Sequence, residues 1–374
     1  CSSDLKNMKN IIKTVIVMLT SISLFGSANA GELTVNGTAK ATYNIETGSH
    51  NGKGLGITNE LNFTAAGELD NGYTWSYSME LDPGATSPAT ETSTGDTQSA
   101  QNDDTQLTLT TPYGTVGVFI SEGGLDVEDA ASQSVYGRPT DIGGSDGVVD
   151  NFDIAAYNNL QYHTPSGLIP FGTSFKIAYA PDLDAYGSGN NAGIEIQENL
   201  STTVGRSATE MQLKIAEIPM ADGLTLGASY FEFDKQGVGS GKRDQDAESG
   251  AYYATYAVGN VSLGYSKAFK ALAIADDADA GGSATKVEYY DQSNTSIAYV
   301  VNDDLSVSYE VEKSQANYLA DATADVEQKS TGIQVAYNMG GMTLAIGRMK
   351  HNNPGYSSTT QNEEQTLFAV TMAF

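Results

Sequence analysis

The feature that most constrains this chain is a two-residue alternation that recurs along its length. From Tyr73 to Asp82, Tyr73, Trp75, Tyr77, Met79 and Leu81 alternate with Thr74, Ser76, Ser78, Glu80 and Asp82. Successive side chains of a strand point to opposite faces, so strict alternation describes a strand with one apolar and one polar face. Leu33, Val35, Ala39 and Tyr43 alternate in the same way with Thr34, Asn36, Thr38, Lys40 and Thr42, and Leu305, Val307, Tyr309 and Val311 with Ser306, Ser308 and Glu310. Read along the chain, the pattern predicts strands near 33–43, 56–69, 73–82, 103–112, 114–121, 157–164, 171–180 and 207–217. It continues near 224–234, 250–258, 260–269, 291–301, 305–315, 327–338, 342–351 and 363–374, about sixteen in all.

The connections alternate too. Asp70-Asn71-Gly72, Pro112-Tyr113-Gly114, Ala221-Asp222-Gly223, Gly259-Asn260, Asn302-Asp303-Asp304 and Gly340-Gly341 are tight hairpin turns of residues that tolerate positive φ. Between them lie long connections near 44–55, 83–102, 122–156, 181–206, 235–249, 270–290, 316–326 and 352–362, rich in Gly, Ser, Asn and Asp. Short turns at one end and long loops at the other describe an all-β, transmembrane, antiparallel up-and-down barrel. The hydrocarbon zone admits no open sheet edge, so such a sheet must close, and an even strand number lets the ends pair antiparallel. A soluble β-sandwich has no reason to alternate its loop lengths, and no solenoid or propeller period is present.

Composition agrees. Mean hydropathy is −0.28, and no segment beyond the first thirty residues approaches an apolar 20-mer, which excludes a helical membrane protein but not a barrel. Tyr (21) outnumbers Phe (11), as suits rings at a polar–apolar boundary. Residues 1–30 read as a cleaved secretory signal, with a start at Met8: Lys9 and Lys13 precede Val15-Ile16-Val17-Met18-Leu19, and Ala28-Asn29-Ala30 offers the cleavage site. The expected mature domain is 31–374. Cys1 is the only cysteine and falls outside it, so neither a disulfide framework nor a thiolate site is expected. Removing Lys6, Lys9, Lys13 and Asp4 takes the net charge from −27 to −29. A field of that sign repels nucleic acid and anions and attracts cations.

The leader, the opening strand Leu33-Thr34-Val35-Asn36-Gly37-Thr38-Ala39-Lys40, the sixteen-strand rhythm and the terminal Phe374 together resemble the general porins of Gram-negative outer membranes. The resemblance spans the whole mature chain and rests on pattern, without a catalytic motif. It implies a trimeric outer-membrane channel, exported through the periplasm, for passive diffusion of small hydrophilic solutes and ions. It also implies that the barrel-assembly machinery reads the last strand, where Phe368, Val370, Met372 and Phe374 share the lipid face. As the sixteenth strand, that segment is expected to pair with Leu33–Tyr43.

Segment 122–156, the longest connection, looks like the family's third loop, which folds into the barrel and narrows it. Its charged residues Glu122, Asp126, Glu128, Asp129, Asp141, Asp146, Asp150, Asp153 and Arg138 are the expected constriction set. Its apolar Leu125, Val127, Ile142, Phe152 and Ile154 suit a loop packed on a wall better than a solvated tail. Parity puts Lys40, Glu60, Glu80, Lys176 and Lys214 on the lumen wall. Many porins oppose the acidic loop with wall arginines. Here the inward positions of the second to fourth strands hold no base, so a mostly acidic, cation-preferring constriction is expected.

Other readings fare worse. His50, His163 and His351 show no triad-like spacing, and no enzyme is expected. Gly52-x-Gly54-x-Gly56 lacks the helix a dinucleotide site requires. The acids of Asp244–Glu248 and of Asp276, Asp277 and Asp279 do not have EF-hand spacing. No cofactor is expected, and weak loop Ca2+ is the one reading those clusters leave open. The rivals from other classes are a substrate-specific or plugged outer-membrane barrel or adhesin, which conductance would separate, and a soluble secreted β-protein, which would fractionate without detergent.

Overall fold

The computed structural model describes residues 32–49, 51–82, 101–142, 148–181, 207–234, 243–275, 287–320 and 323–374. The leader, Asp146, and Asp276, Asp277 and Asp279 lie outside these residues. The strands are β1 (Glu32–Thr47), β2 (Gly52–Glu68), β3 (Thr74–Asp82), β4 (Gln101–Thr111), β5 (Gly114–Ile120) and β6 (Asn159–His163). They continue with β7 (Ser174–Ala180), β8 (Ser207–Ile215), β9 (Leu224–Asp234), β10 (Arg243–Gln245), β11 (Glu248–Val258) and β12 (Val261–Ala271). The last are β13 (Ile274–Ala275), β14 (Val287–Val300), β15 (Leu305–Tyr318), β16 (Val326–Met339), β17 (Met342–Asn352) and β18 (Glu363–Ala373).

Sixteen of these close into one antiparallel barrel in sequence order, with β18 pairing β1. The remaining two, β10 and β13, form a separate two-stranded sheet. The alternation did not foretell them: 235–249 and 270–290 were expected as loops, and strands of two or three residues carry no readable period. The strand expected from 291 begins at Val287, because its polar outward residue Asp291 lies within the ladder, opposite Phe269.

The two faces are sharply unlike. Large apolar side chains such as Leu55, Ile57, Leu107, Ile297, Ile333, Ile346 and Phe368 are exposed on one face. On the other, Ser229, Gln292, Asn294, Ser296, Glu310, Glu312, Gln328 and Gln334 are buried. In a closed barrel the exposed apolar rows face outward and the buried polar rows inward, the inverse of a soluble protein and the arrangement a lipid surround demands. A slip of one residue in any pairing would exchange the faces, so the alternation itself fixes the register.

The closing pair is staggered relative to the expectation. β18 pairs with β1 as expected, over Thr38–Tyr43 of the expected Leu33–Tyr43, but the ladder runs on from there to Thr47 opposite Glu364 and does not reach Leu33. Closing tilted strands requires such a shear. Gly37 and Phe374 exchange backbone N–H···O bonds of 2.9 and 3.0 Å at the end of this seam. At the short-turn end, Gly223 holds φ of 84°, and a side chain there would overlap the Ala257 carbonyl.

Candidate functional site

The 121–158 segment between β5 and β6 runs across the polar faces of β8 to β16. An irregular backbone at this depth needs partners for its N–H and C=O groups, and inward side chains of the wall supply them. On the outward leg, Gln212 donates to Leu125 O (2.9 Å), and Val127 N donates to Ser229 Oγ (3.1 Å). Ser266 donates to Glu128 O (2.8 Å), and Ser296 to Ala131 O (2.6 Å). Val135 N reaches Ser308 Oγ at 3.0 Å and Tyr136 N reaches Gln334 Oε1 at 3.0 Å. On the return leg, Gln292 donates to Val149 O (2.7 Å), Phe152 N to Ser249 Oγ (3.1 Å) and Ile154 N to Glu210 Oε2 (2.9 Å). Where the wall must be flat it carries glycine: a methyl on Gly264 would overlap the Ala131 carbonyl, and one on Gly332 would lie 2.8 Å from Pro139 Cγ.

Apolar contacts secure the other side of the segment. Leu125, Phe152, Ile154 and Tyr157 are buried in one cluster with Phe231, Phe233 and Tyr290. Phe152 and Phe233 meet edge to face at 5.0 Å, and Lys270 Nζ lies 4.5 Å over the Phe152 ring. Ile142 packs in a second cluster with Met349, Leu367 and Ala369.

Of the nine expected constriction residues, the structure describes eight, all but Asp146, and divides them into groups. Glu128 and Arg138 are buried; Asp126 and Asp153 are largely enclosed against the wall, and Glu122 is half-buried. Asp126 accepts from Ser229 (2.9 Å) and from Asn151 Nδ2 (3.1 Å), and Glu128 accepts from the Asn151 N–H. Burial raises the carboxyl pKa of Asp126 and of Asp153 despite these hydrogen bonds. It raises that of Glu128 further, with Asp126 and Asp129 adding repulsion. Asp129, Asp141 and Asp150 are instead exposed.

Arg138 is enclosed by carboxylates. Its Nε donates to Glu312 Oε1 at 2.6 Å, its Nη1 pairs with Asp129, and Asp141 stands 3.8 Å away. Burial disfavours its charge, but Glu312, Asp129 and Asp141 more than offset that, so its pKa rises. Burial raises the Asp129 carboxyl to about 7 against the pull of Arg138, although 54% of its side chain stays exposed. Asp141 is raised by burial as well, again opposed by Arg138.

The expected wall residues all lie on the inward face, in two groups, Lys40, Glu60 and Glu80 on β1 to β3 and Lys176 and Lys214 on β7 and β8. Lys40, opposite Thr371, holds its Nζ 5.5 Å over the Tyr136 ring, and Thr38 donates to Glu60 at 3.3 Å. Glu80 sits opposite Asn62 on β2. Lys176 and Lys214 stand on β7 and β8, beside His163, which bonds Gln161 at 2.7 Å. His351 is buried on β17 against Ser330 Oγ at 2.8 Å. Phe368 and Met372 face outward, Val370 shares their parity, and Phe374 is 66% exposed. Sequence reasoning missed Glu210, Glu312 and Lys270 as members of this site. Parity alone could have placed all three inward, since each follows the inward register of its strand. Among the described residues no group of three or more His, Cys, Asp or Glu is placed to hold a metal.

Comparison with known proteins agrees with this architecture. A family profile described as Gram-negative porin matches residues 14–353. No curated protein matches. Among solved structures, OmpF of Salmonella typhi, in complex with daunomycin, shares 16% identity at a TM-score of 0.63, covering 92% of this chain and 98% of its own. The outer-membrane channel DcaP of Acinetobacter baumannii shares 10% at 0.61, covering 94% and 99%. An OmpT loop-deletion mutant from Vibrio cholerae shares 11% at 0.56, covering 92% and 100%. At these identities the structures speak for the fold, and the profile speaks for the family. With the alternating faces and the closed ladder, they establish that this chain belongs to the Gram-negative porins, the channel-forming barrels of the outer membrane.

Proposed function

We propose that this porin is a passive diffusion channel for small hydrophilic solutes that favours cations, with the 121–158 segment as its constriction. The observation that carries this reading is the state of Arg138. The one base of the segment is enclosed by Glu312, Asp129 and Asp141, while the carboxylates of Asp129, Asp141 and Asp150 stay exposed. A narrow pore lined by acids whose local counter-charge is already used attracts cations and repels anions. Lys40, Lys176, Lys214 and Lys270 are wall bases that temper this field. The working unit is a homotrimer, export runs through the periplasm after loss of 1–30, and the barrel-assembly machinery recognises β18 through Phe368, Val370, Met372 and Phe374. The lumen holds no reaction centre in this reading.

Swelling of proteoliposomes in uncharged sugars of graded size tests the channel. Rapid swelling in the smallest sugars, falling with size, is expected. No swelling in any of them would support the plugged-barrel alternative instead.

A further inference from the structure

The described bases that face the lumen differ in what they meet. Arg138 is enclosed by carboxylates, Lys40 lies over the Tyr136 ring and Lys270 over the Phe152 ring. Lys176 on β7 and Lys214 on β8 have neither kind of partner. Among the described residues no carboxylate comes within ion-pair distance of them and no ring lies beneath them. Acids outnumber bases by 46 to 19 in this chain, so two neighbouring unpaired bases do not reflect a shortage of acids.

The ladder brings them together. Lys176 stands directly opposite His163 on β6 and Gln212 on β8, and Lys214 is two residues beyond Gln212, diagonal to Lys176. Opposed Cβ atoms on one face lie about 5 Å apart and diagonal ones about 7–8 Å, so both lysine side chains reach one small ion. Gln161 Nε2 donates to Asn159 Oδ1 at 2.9 Å, so its Oε1 accepts from His163 Nε2 at 2.7 Å, and the second ring nitrogen of His163 has no hydrogen-bond partner among the described residues. The cluster sits one pleat beyond the root of the inward segment. Gln161 Nε2 also donates to Gly123 O, and Gln212 Nε2 to Leu125 O. His163 and Lys214 follow those two glutamines by two residues toward the short turns, about 7 Å at roughly 3.3 Å per residue.

We propose that His163, Lys176 and Lys214 form a binding site for a small, doubly charged oxyanion of the phosphate type, reached from the short-turn side of the constriction. Two ammonium groups this close repel each other, and an anion between them removes the repulsion. Lysine supplies rotatable, charge-assisted donors that a tetrahedral oxyanion accepts from several directions. The acids of the segment repel an anion arriving through the constriction, which leaves the short-turn side as the route of entry. The site rests on the channel reading for that route alone; binding itself needs no conduction. With the anion bound, two of the bases that temper the lumen field are neutralised, and the channel favours cations more strongly.

Lysine acetylation of the detergent-purified protein, mapped by peptide mass spectrometry, tests the site, with inorganic phosphate as the probe and chloride at equal ionic strength as the reference. Phosphate should slow acetylation of Lys176 and Lys214 saturably, about tenfold at ten times its dissociation constant, and leave Lys40 unprotected. No slowing, or equal slowing at Lys40, which general screening would give, overturns the proposal. In single-channel recordings, phosphate added to one face should raise the cation preference and added to the other face should not. The double variant K176Q/K214Q should weaken that effect about tenfold, for the loss of two half-exposed charge contacts. An effect that is the same from both faces, or that persists in K176Q/K214Q, also overturns it. Heat-modifiable migration in gels verifies that the variant barrel is folded, and the protection arm uses the native protein alone. Protection in a protein that does not conduct would uphold the site and sink the channel reading instead.

Discussion

Glu312 on β15 anchors the tip of the inward segment by two routes at once: its Oε1 accepts from Arg138 Nε at 2.6 Å, and its Oε2 accepts from the Thr140 N–H at 3.0 Å and the Thr140 hydroxyl at 2.8 Å. One wall carboxylate therefore satisfies a buried guanidinium, a backbone donor and a hydroxyl. E312A removes all three partners and leaves a buried cation short of charge. Breaking a buried pair in this way costs about 3 kcal/mol. The expected outcome is a noisier, larger single-channel current, with proteolysis newly possible within 121–158 and the barrel intact. Unchanged current and protection would show that Glu312 does not hold the segment.

Gly264 on β12 is where the wall comes nearest to the segment, beneath the Ala131 carbonyl. G264A inserts a methyl into occupied space, and overpacking of this kind costs about 1–3 kcal/mol or moves the weaker partner. The segment is the weaker partner, because the β12 ladder is bonded on both sides to β11 and β14. A changed conductance with an unchanged melting temperature is expected. A lowered melting temperature at unchanged conductance would place the strain in the wall instead.

The pH dependence follows from Asp129. Its carboxyl is raised to about 7, so the folded channel binds a proton there that the unfolded chain would not hold until far lower pH. Acidification through that window removes a negative charge from the lumen and, because the native state takes up the proton, adds stability. Cation preference should therefore fall between about pH 8 and about pH 5 as Asp129 titrates near its shifted value. D129N should abolish that part of the change. A preference that stays flat in the native protein would contradict the titration.

The last strand gives an asymmetric prediction. Val370 and Met372 follow the outward parity of Phe368, while Thr371 faces inward, opposite Lys40. A lysine or arginine on the lipid face costs about 2–4 kcal/mol near the midplane, an aspartate less, and either costs less toward the rim. V370D and M372D should reduce assembly, measured as heat-modifiable barrel, well below T371D. Ala369 is a poor inward control, because it is buried in the cluster that holds Ile142. Equal tolerance of aspartate at 370 and 371 would mean the register is wrong.

Much of this architecture was readable in the sequence because lipid and water impose a strict period. The alternation from Tyr73 to Asp82 becomes β3, and Leu305–Val311 becomes the first half of β15. The shear was not readable, since no local pattern says that Thr38 rather than Leu33 begins the closing pair. Nor were β10 and β13, which are too short to show a period. In the 122–156 segment the residue types suggested a packed acidic loop, but a loop has no period to say which acids turn to the wall. Asp126 and Asp129 are three residues apart and read alike; only the positions of Ser229 and Arg138, on or against remote strands, separate their environments.

In the channel proposed above, the lumen selects by negative charge that Arg138 does not neutralise. The most direct test of that selection is the reversal potential of the detergent-purified channel in a planar bilayer under a potassium chloride gradient, beside the variant D129N/D141N/D150N. A potential of the sign set by potassium, reduced in the variant, is the predicted result. A potential set by chloride, or one identical in the two proteins, would contradict it.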